Sequence, residues 1–418
     1  MNKDQKQAIA INAIQKKLLG KRLSYREIYM LMDEIGHHRL SDVLTTYFVA
    51  SSFREGFSAE ELYFLTKAMV NTGTRLNFKG MIADKHSSGG VAGTRTTLII
   101  VPIIAAAGIR IPKTSSRAIT SPAGTADVME TMAKVTFNPH QIETMIDKIG
   151  GCVVWGGHLG IAPADDVIIR IEEPLSFEPF DKLIVSIMAK KVAVSATHLV
   201  LDIPVGKTMK IRHFFDAEKV TSKFKQLGNK FGMKIVFDVN ETLEPAGRGV
   251  GPALEARDVL YVLEQKKERP LALEAKALRL AGKLLQLCFA DVGVKKNGEE
   301  EARRILTDGR ALKKFHEIIH IQGGDADIDS DNFKMKSHYS EYPSARSGKI
   351  KEINNYHLNM VARILGAPAD KYAGLYLYKK VDEFVSKKEP LLRFYSSDKY
   401  RLREAEVTIE NMPVYEIE

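Results

Sequence analysis

The sequence predicts an all-helical unit joined to a larger α/β unit with a parallel sheet, closed by a smaller α+β piece. Three observations carry this. Residues 2–75 repeat apolar side chains at helical spacing and show no strand pattern. Residues 76–155 alternate strand, Gly/Ser-rich loop and helix, as parallel βα units do. Residues 330–418 mix short β-rich stretches with helical ones. A chain of 418 residues has room for two or three such parts.

In order along the chain, helices are predicted over 8–19, 25–35, 40–54 and 59–71. Ser24 and Ser58 stand before two of them, each with a glutamate three residues on (Glu27 and Glu61), the pattern of a capping box. Residues 79–83 read as a short buried strand, 84–97 as a loop and 96–108 as an Ala-rich apolar helix. A second strand over 109–112 leads to a hydroxyl-rich loop over 113–127 and a helix over 125–134. A third strand, 150–155, ends in the Gly-rich loop 156–160. Helical runs follow over 162–173, stopped by Pro174, and over 179–192, with Leu183, Ile184, Ile187 and Met188 on the apolar face. Strand 197–202, helix 217–231, strand 234–238, a Gly-rich loop at 247–251 and long helices to about residue 320 complete this part.

Bulk composition narrows the function classes. Net charge is +9, yet the lysines are scattered, with only short runs such as Lys266-Lys267-Glu268-Arg269. With no basic tail and no aromatic-basic stripe, a nucleic-acid partner is not expected, and an anionic small molecule is. The two cysteines, Cys152 and Cys288, have neither CxxC nor ligand spacing, so a metal centre is not expected and a reducing, cytoplasmic setting is. The first residues read as an amphipathic helix rather than a signal peptide. No apolar run approaches the ~18–20 residues of a membrane span.

Chemistry concentrates in three stretches. The first is Asp84-Lys85-His86-Ser87-Ser88-Gly89-Gly90, running on through Gly93 to Thr97. A strand, a glycine loop and a helix N-terminus in succession present free N–H groups and a favourable dipole to an anion, and the lysine, histidine and hydroxyls add donors. It is not a Walker loop, because no Gly-Lys-Ser/Thr falls at the required spacing. The second is Lys113-Thr114-Ser115-Ser116-Arg117 through Thr125. Two such loops after successive strands belong at the carboxyl ends of a parallel sheet, where α/β proteins bind ligands. The third is Arg170-x15-Ser186-x3-Lys190. On a helix, Ser186 and Lys190 share one face, where a hydroxyl and an ammonium can hold a polar heterocycle.

These three stretches together resemble the type II nucleoside phosphorylase family. The resemblance implies a discontinuous helical domain (1–75 and 160–195), an α/β phosphate-binding domain with a mixed sheet (76–159 and 196–330), a C-terminal α+β subdomain (331–418) and an active site in the cleft between the first two. It implies a pentosyltransferase in which inorganic phosphate attacks the anomeric carbon and expels the base, with no cofactor. Phosphate would sit on Lys85, Ser87, Ser88, Ser115, Thr125 and the backbone at Gly90. The loop Ser116, Arg117, Ala118, Ile119, Thr120 and Ser121 would contact the nucleotide, with Arg117 facing the anion. Arg170, Ser186, Lys190 and Lys210 would join it. His86 would lie near the sugar and the leaving base, and Lys190 would neutralise that base.

The strings Ala162-Pro163-Ala164-Asp165-Asp166, Ser195-Ala196-Thr197-His198, Asp202-Ile203-Pro204-Val205-Gly206-Lys207 and Gly247-Arg248-Gly249-Val250-Gly251-Pro252 resemble the AMP phosphorylase branch. That branch implies nucleoside 5′-monophosphates as substrates: AMP and phosphate giving adenine and ribose 1,5-bisphosphate, with CMP and UMP as further substrates. Its proton donor is usually an aspartate, and Glu178 stands at that position here. In that branch an extra domain precedes the helical unit and supports higher assembly. The present residues begin close to the helical unit, so a homodimer through that unit is expected. Three alternatives stay open from the sequence: a pyrimidine nucleoside phosphorylase, a magnesium-dependent phosphoribosyltransferase using Asp238 and Glu241, and a catalytically silent nucleotide binder.

Overall fold

The computed structural model describes residues 3–118, 121–172 and 179–418. The chain opens with α1 (Lys3–Leu18), α2 (Tyr25–Gly36), α3 (Asp42–Glu55) and α4 (Ala59–Asn71). Then come β1 (Ala83–Ser87), α5 (Thr97–Ala106), β2 (Ile111–Ser115), α6 (Thr125–Met129), α7 (Pro139–Ile149), β3 (Gly151–Trp155), α8 (Pro163–Glu172) and α9 (Phe180–Ala193). The middle continues with β4 (His198–Val205), α10 (Phe214–Lys230), β5 (Lys234–Glu241), β6 (Gly249–Val250), α11 (Pro252–Leu263), α12 (Leu271–Asp291), α13 (Gly298–Thr307) and α14 (Arg310–Ile321). The last part holds β7 (His338–Pro343), β8 (Gly348–Ile353), α15 (Asn355–Ile364), β9 (Gly374–Leu377), β10 (Phe384–Val385), β11 (Pro390–Ser396), α16 (Lys399–Asn411) and β12 (Tyr415–Ile417).

Both capping boxes form. Ser24 and Ser58 each accept from the backbone of the glutamate three residues on, and that glutamate accepts from the cap backbone in return. Glu61 does more than cap α4. Its other carboxylate oxygen takes the Leu23 N–H (3.1 Å) and the Lys17 ammonium (3.1 Å), and both side chains are almost fully buried. It therefore locks α1 and α2 onto α4. Helix α8 packs on α2, α3 and α4, and α9 packs on α4. The two late helices thus share a core with the first four, with Leu31, Leu65, Ile168 and Ile184 among its members.

The middle of the chain builds a parallel surface. β2 pairs with β3, β1 with β4 and β4 with β5, all parallel. A single parallel bridge, Ile82 to Arg110, with the Ala83 N–H donating to the Arg110 carbonyl (2.9 Å), joins the two groups in the order β3-β2-β1-β4-β5. Alternation along the strands explains why both faces are covered. Leu199 and Leu201 face one core with α7 and α10, while Val200 faces a second core with α5, α12 and α14.

The expected element types are present, but two strand positions shift. β1 starts at Ala83 where the sequence reads a strand over 79–83, and β2 starts at Ile111 where it reads one over 109–112. Lys85, His86, Ser87 and Ser115 are therefore strand residues. Polar side chains in Asp84-Lys85-His86-Ser87 look like a loop by composition. They extend because β4 lies alongside and because Asp84 and Lys85 face a buried, charged interior. The last part forms two antiparallel sheets, β10-β8-β12 and β6-β9-β11-β7, around a third core. β6 comes from residues 249–250, far earlier in the chain, so this sheet is closed by a piece of the α/β region.

Glu61→Ala should leave Lys17 buried without its partner and lower stability by about 3–5 kcal/mol, read as the midpoint shift in denaturant unfolding.

Candidate active site

The first loop leaves β1 at Ser87. The Ser88 N–H donates to the Asp202 carbonyl (2.9 Å), and the chain then turns through Gly89 and Gly90, with φ of +84° and +88°. That left-handed pair requires glycine. Among the described residues the Gly90 N–H has no hydrogen-bond partner. The Lys85 ammonium is likewise without an ion pair or hydrogen bond among them, although the residue is only 4 % exposed. Burial pushes its pKa down to about 8, against the pull of Asp202 and with Lys276, Arg95 and Lys191 adding to the shift. The Ser88 and Ser115 hydroxyls are buried with no partner among the described residues. Buried donors are normally paired, so this cluster has the composition of an anion site. Ser87 is committed differently: its hydroxyl donates to Asp202 at 2.9 Å. Lys276 and Asn240 also bind Asp202.

The second loop lies beside the first. Carried forward in register, the Ile82–Arg110 bridge sets Ser115 level with Ser87. Asp127 organises the loop by accepting the N–H groups of Ala118 (2.7 Å) and Gly124 (2.9 Å). A Cβ on Gly124 would lie 2.3 Å from the Arg117 carbonyl carbon, so the crossing tolerates only glycine. Ser116 accepts the Ala126 N–H through its carbonyl, and Ser121 donates to the Ala123 carbonyl. Arg95 ties the two loops together. It donates to the Thr125 hydroxyl (2.9 Å), to the Ala123 carbonyl (2.7 Å) and to buried Glu255 (2.8 Å). Because the Thr125 oxygen accepts from a guanidinium, its own hydrogen remains available to an anion. Arg95 has no signal in the sequence beyond its place between loop and helix.

Arg117, expected from the family resemblance to face the anion, is held by carboxylates of its own loop and helix. Its guanidinium forks onto Glu130 at 2.6 Å, touches Asp127 at 3.2 Å and stacks over the Trp155 ring. These contacts brace the loop. Two carboxylates within reach outcompete an open site.

The third set gathers on Asp165. The Ser186 hydroxyl donates to its Oδ2 at 2.7 Å and the Lys190 ammonium reaches the same oxygen at 2.7 Å. Lys190 also reaches Ser186 at 3.4 Å. Burial pushes the Asp165 carboxyl up, but the Lys190 and Lys182 charges and the Ser186 hydrogen bond outweigh it and hold it below its ordinary value. Neighbouring Asp166 is pushed up to about 6 by burial, and the Asp165 charge adds to it against the pull of Lys190. The sequence places Asp165 only within a family-like string, and its role as anchor comes from the fold.

One residue further along α9, Lys191 joins this set to β1. Its ammonium meets Asp84 at 2.7 Å, with both side chains 1 % exposed, and Lys113 approaches the other Asp84 oxygen at 3.5 Å. His86 sits next to this group. Burial, then the charges of Lys191, Lys113, Lys85 and Lys190, hold its pKa well below the usual value, so the imidazole is neutral at pH 7. Lys210 packs its aliphatic stem on Gly90, where an added Cβ would lie 3.3 Å from its Cγ. Arg170 is half-exposed and paired bidentately with Asp42 of α3. Ile119, Thr120 and Glu178 lie outside the described residues. Asp238 is taken up by Arg279 (3.0 Å) and Lys283 (2.8 Å), which sets it apart from an open cation ligand.

An α/β unit with two hydroxyl-rich loops, attached to a helical unit that presents a lysine and a serine, is the architecture of a pentose-transferring enzyme. Residues 11–73 match the helical bundle domain of the glycosyl transferase family, residues 79–312 match its a/b domain, and residues 349–416 match the pyrimidine nucleoside phosphorylase C-terminal domain. The chain belongs to this glycosyl transferase family, in its nucleoside phosphorylase branch, and is a phosphorylase of the pentosyltransferase type. It is 40 % identical to AMP phosphorylase 1 of Archaeoglobus fulgidus over 97 % of this chain and 80 % of that one. It is 43 % identical to AMP phosphorylase of Thermofilum pendens over 96 % and 77 %. It is also 41 % identical to a putative thymidine phosphorylase of Legionella pneumophila over 95 % and 75 %. Among solved structures, anthranilate phosphoribosyltransferase from Thermus thermophilus superposes with a TM-score of 0.61 at 17 % identity, covering 74 % of this chain and 99 % of that one, a likeness of fold alone. No described helix is long and apolar enough to cross a membrane.

Asp165→Ala should free Lys190 and Ser186 from their shared anchor and lower kcat/KM by about 100-fold, the scale of a 1 Å misplacement, while circular dichroism stays unchanged. Lys85 keeps its charge below about pH 8 and loses it above. The dissociation constant for phosphate, measured on the free enzyme, should therefore weaken as pH rises through about 8.

Proposed function

We propose that this chain catalyses phosphorolysis of nucleoside 5′-monophosphates, with AMP and phosphate giving adenine and ribose 1,5-bisphosphate. The observation that carries this is a buried lysine and two buried hydroxyls without partners among the described residues, joined through one ion pair to a lysine–serine pair on a shared aspartate. The first group suits a phosphate and the second a heterocyclic base. The names of two relatives point to AMP.

In this reading Lys85, Ser88, Ser115, Thr125 and the Gly90 N–H hold phosphate against the anomeric carbon. Orientation alone can lower such a barrier by up to ~7–11 kcal/mol. A phosphate oxygen forms the new bond to that carbon as the bond to the base breaks, and the base leaves with the electron pair. Ser186 and Lys190 hold the base and stabilise its growing negative charge. Neutral His86 contacts the sugar and the departing base without adding a competing cation. Glu178 supplies the proton that the base finally carries. Inorganic phosphate is the only co-substrate and no cofactor is required. The enzyme would act in cytoplasmic nucleotide salvage as a homodimer. Exposed Leu18 and Leu19 at the end of α1, with Val43 and Tyr47 on α3, support an interface on the helical unit.

A second reading, phosphorolysis of thymidine or uridine, is favoured by the relatives named thymidine phosphorylase and by the C-terminal match. Base release measured from AMP and from thymidine in parallel, with and without phosphate and with EDTA present, separates the two. Phosphate-dependent adenine from AMP is the expected result, and phosphate-dependent thymine alone overturns it. In the productive reaction, Lys190→Ala should abolish turnover and base binding, while Ser115→Ala should raise KM for phosphate. Unchanged steady-state constants would remove that residue from the site.

A further inference from the structure

The C-terminal piece reaches into the first anion loop. Asn355, the first residue of α15, is 2 % exposed and lies over residues 90–92. Its side-chain amide donates to the Gly90 carbonyl at 2.5 Å, and its carbonyl oxygen accepts the Ala92 N–H at 3.0 Å. The amide thus gives this loop the paired donor and acceptor that a neighbouring strand would give. Ala92 itself is fully buried in the third core, with Leu358 and Val361 of α15. Since a trans peptide points its C=O and N–H in opposite directions, turning the Gly90 carbonyl toward Asn355 aims the Val91 N–H away from it. Among the described residues neither the Gly90 nor the Val91 N–H has a partner. The same piece braces the second loop. Lys371 contacts Asp127 and Glu130, each at 3.0 Å, and Asp127 is the carboxylate that holds the N–H groups of Ala118 and Gly124.

We propose that the C-terminal α+β piece sets the phosphate affinity of the site, with Asn355 as the positioning residue that fixes the peptide orientation of the first anion loop. This rests on the phosphate reading of that loop. Asn355 does not touch the reacting atoms. It acts through the Val91 N–H, which the held Gly90–Val91 peptide turns away from Asn355, and Lys371 braces the second loop through Asp127.

The test is calorimetric titration of the full chain with inorganic phosphate and, separately, with AMP, for Asn355→Ala and Asn354→Ala. Asn354 is the control because it caps the same helix, accepting from Tyr356 and His357 N–H groups, and has no hydrogen bond to the loop among the described residues. Asn355→Ala should weaken phosphate binding about tenfold, the scale of one buried hydrogen bond left unmade, with AMP affinity changed less than about twofold. Asn354→Ala should lower the melting temperature and leave both affinities alone. Should Asn355→Ala not fold, Asn355→Asp takes its place: it keeps the acceptor for Ala92, loses the donor to Gly90 and should weaken phosphate likewise. Wild-type phosphate affinity in a folded Asn355 variant overturns the positioning role. So does an equal loss of both ligands in the Asn354 and Asn355 variants. No phosphate binding by the wild-type chain would instead overturn the anion reading, and this inference with it.

Discussion

The buried pair of Asp84 and Lys191 is the contact on which the rest of the site depends. One partner sits on the strand that begins the first anion loop, and the other sits on the helix that carries Ser186 and Lys190. Separating two such buried charges leaves each without solvent or partner, at a cost of about 3–5 kcal/mol. The first glycine loop and the Ser186–Lys190 pair therefore share one frame, even though 107 residues separate Asp84 from Lys191 in the chain. Asp84 also receives Lys113 and the Lys85 N–H, so one carboxylate organises three neighbouring elements.

The same pair sets the electrostatics. Lys85, Lys113, Lys190 and Lys191 surround His86, while Asp84 answers two of these charges and Asp165 a third. Lys85 alone keeps no direct partner among the described residues. Burial first, and the positive excess after it, holds His86 in its neutral form and lowers the Lys85 pKa. Hydroxyl geometry adds selectivity. Thr125 accepts from Arg95 and so retains a proton to give, whereas Ser87 and Ser186 spend theirs on carboxylates.

Long-range polar contacts hold each loop in its working shape. Arg95 crosses from the first loop to the second, Asn355 grips the first from the C-terminal piece, and Lys371 reaches the carboxylate that organises the second. A strand taken from residues 249–250 completes a C-terminal sheet, which ties that piece mechanically to the α/β region. Backbone at a ligand site is seldom held by a ladder of its own. Here side chains from distant elements supply the missing partners.

By itself the sequence determined the features set by neighbours a few residues apart. The capping boxes at Ser24 and Ser58, the four opening helices, the glycine turns at Gly89 and Gly90, and the shared face of Ser186 and Lys190 all follow from local spacing, and all appear in the structure. The two hydroxyl-rich loops after parallel strands were legible for the same reason. Only the tertiary structure decided which polar residues lie in strands, because β1 extends through Lys85 only with β4 beside it. It also turned Arg117 onto Glu130, made Asp165 the anchor of the Ser186–Lys190 pair and brought Asn355 to Gly90. Each of these depends on a hydrogen bond or ion pair whose partner is chosen by three-dimensional proximity. Asn355 and Gly90 stand 265 residues apart, and no spacing rule reaches across that distance.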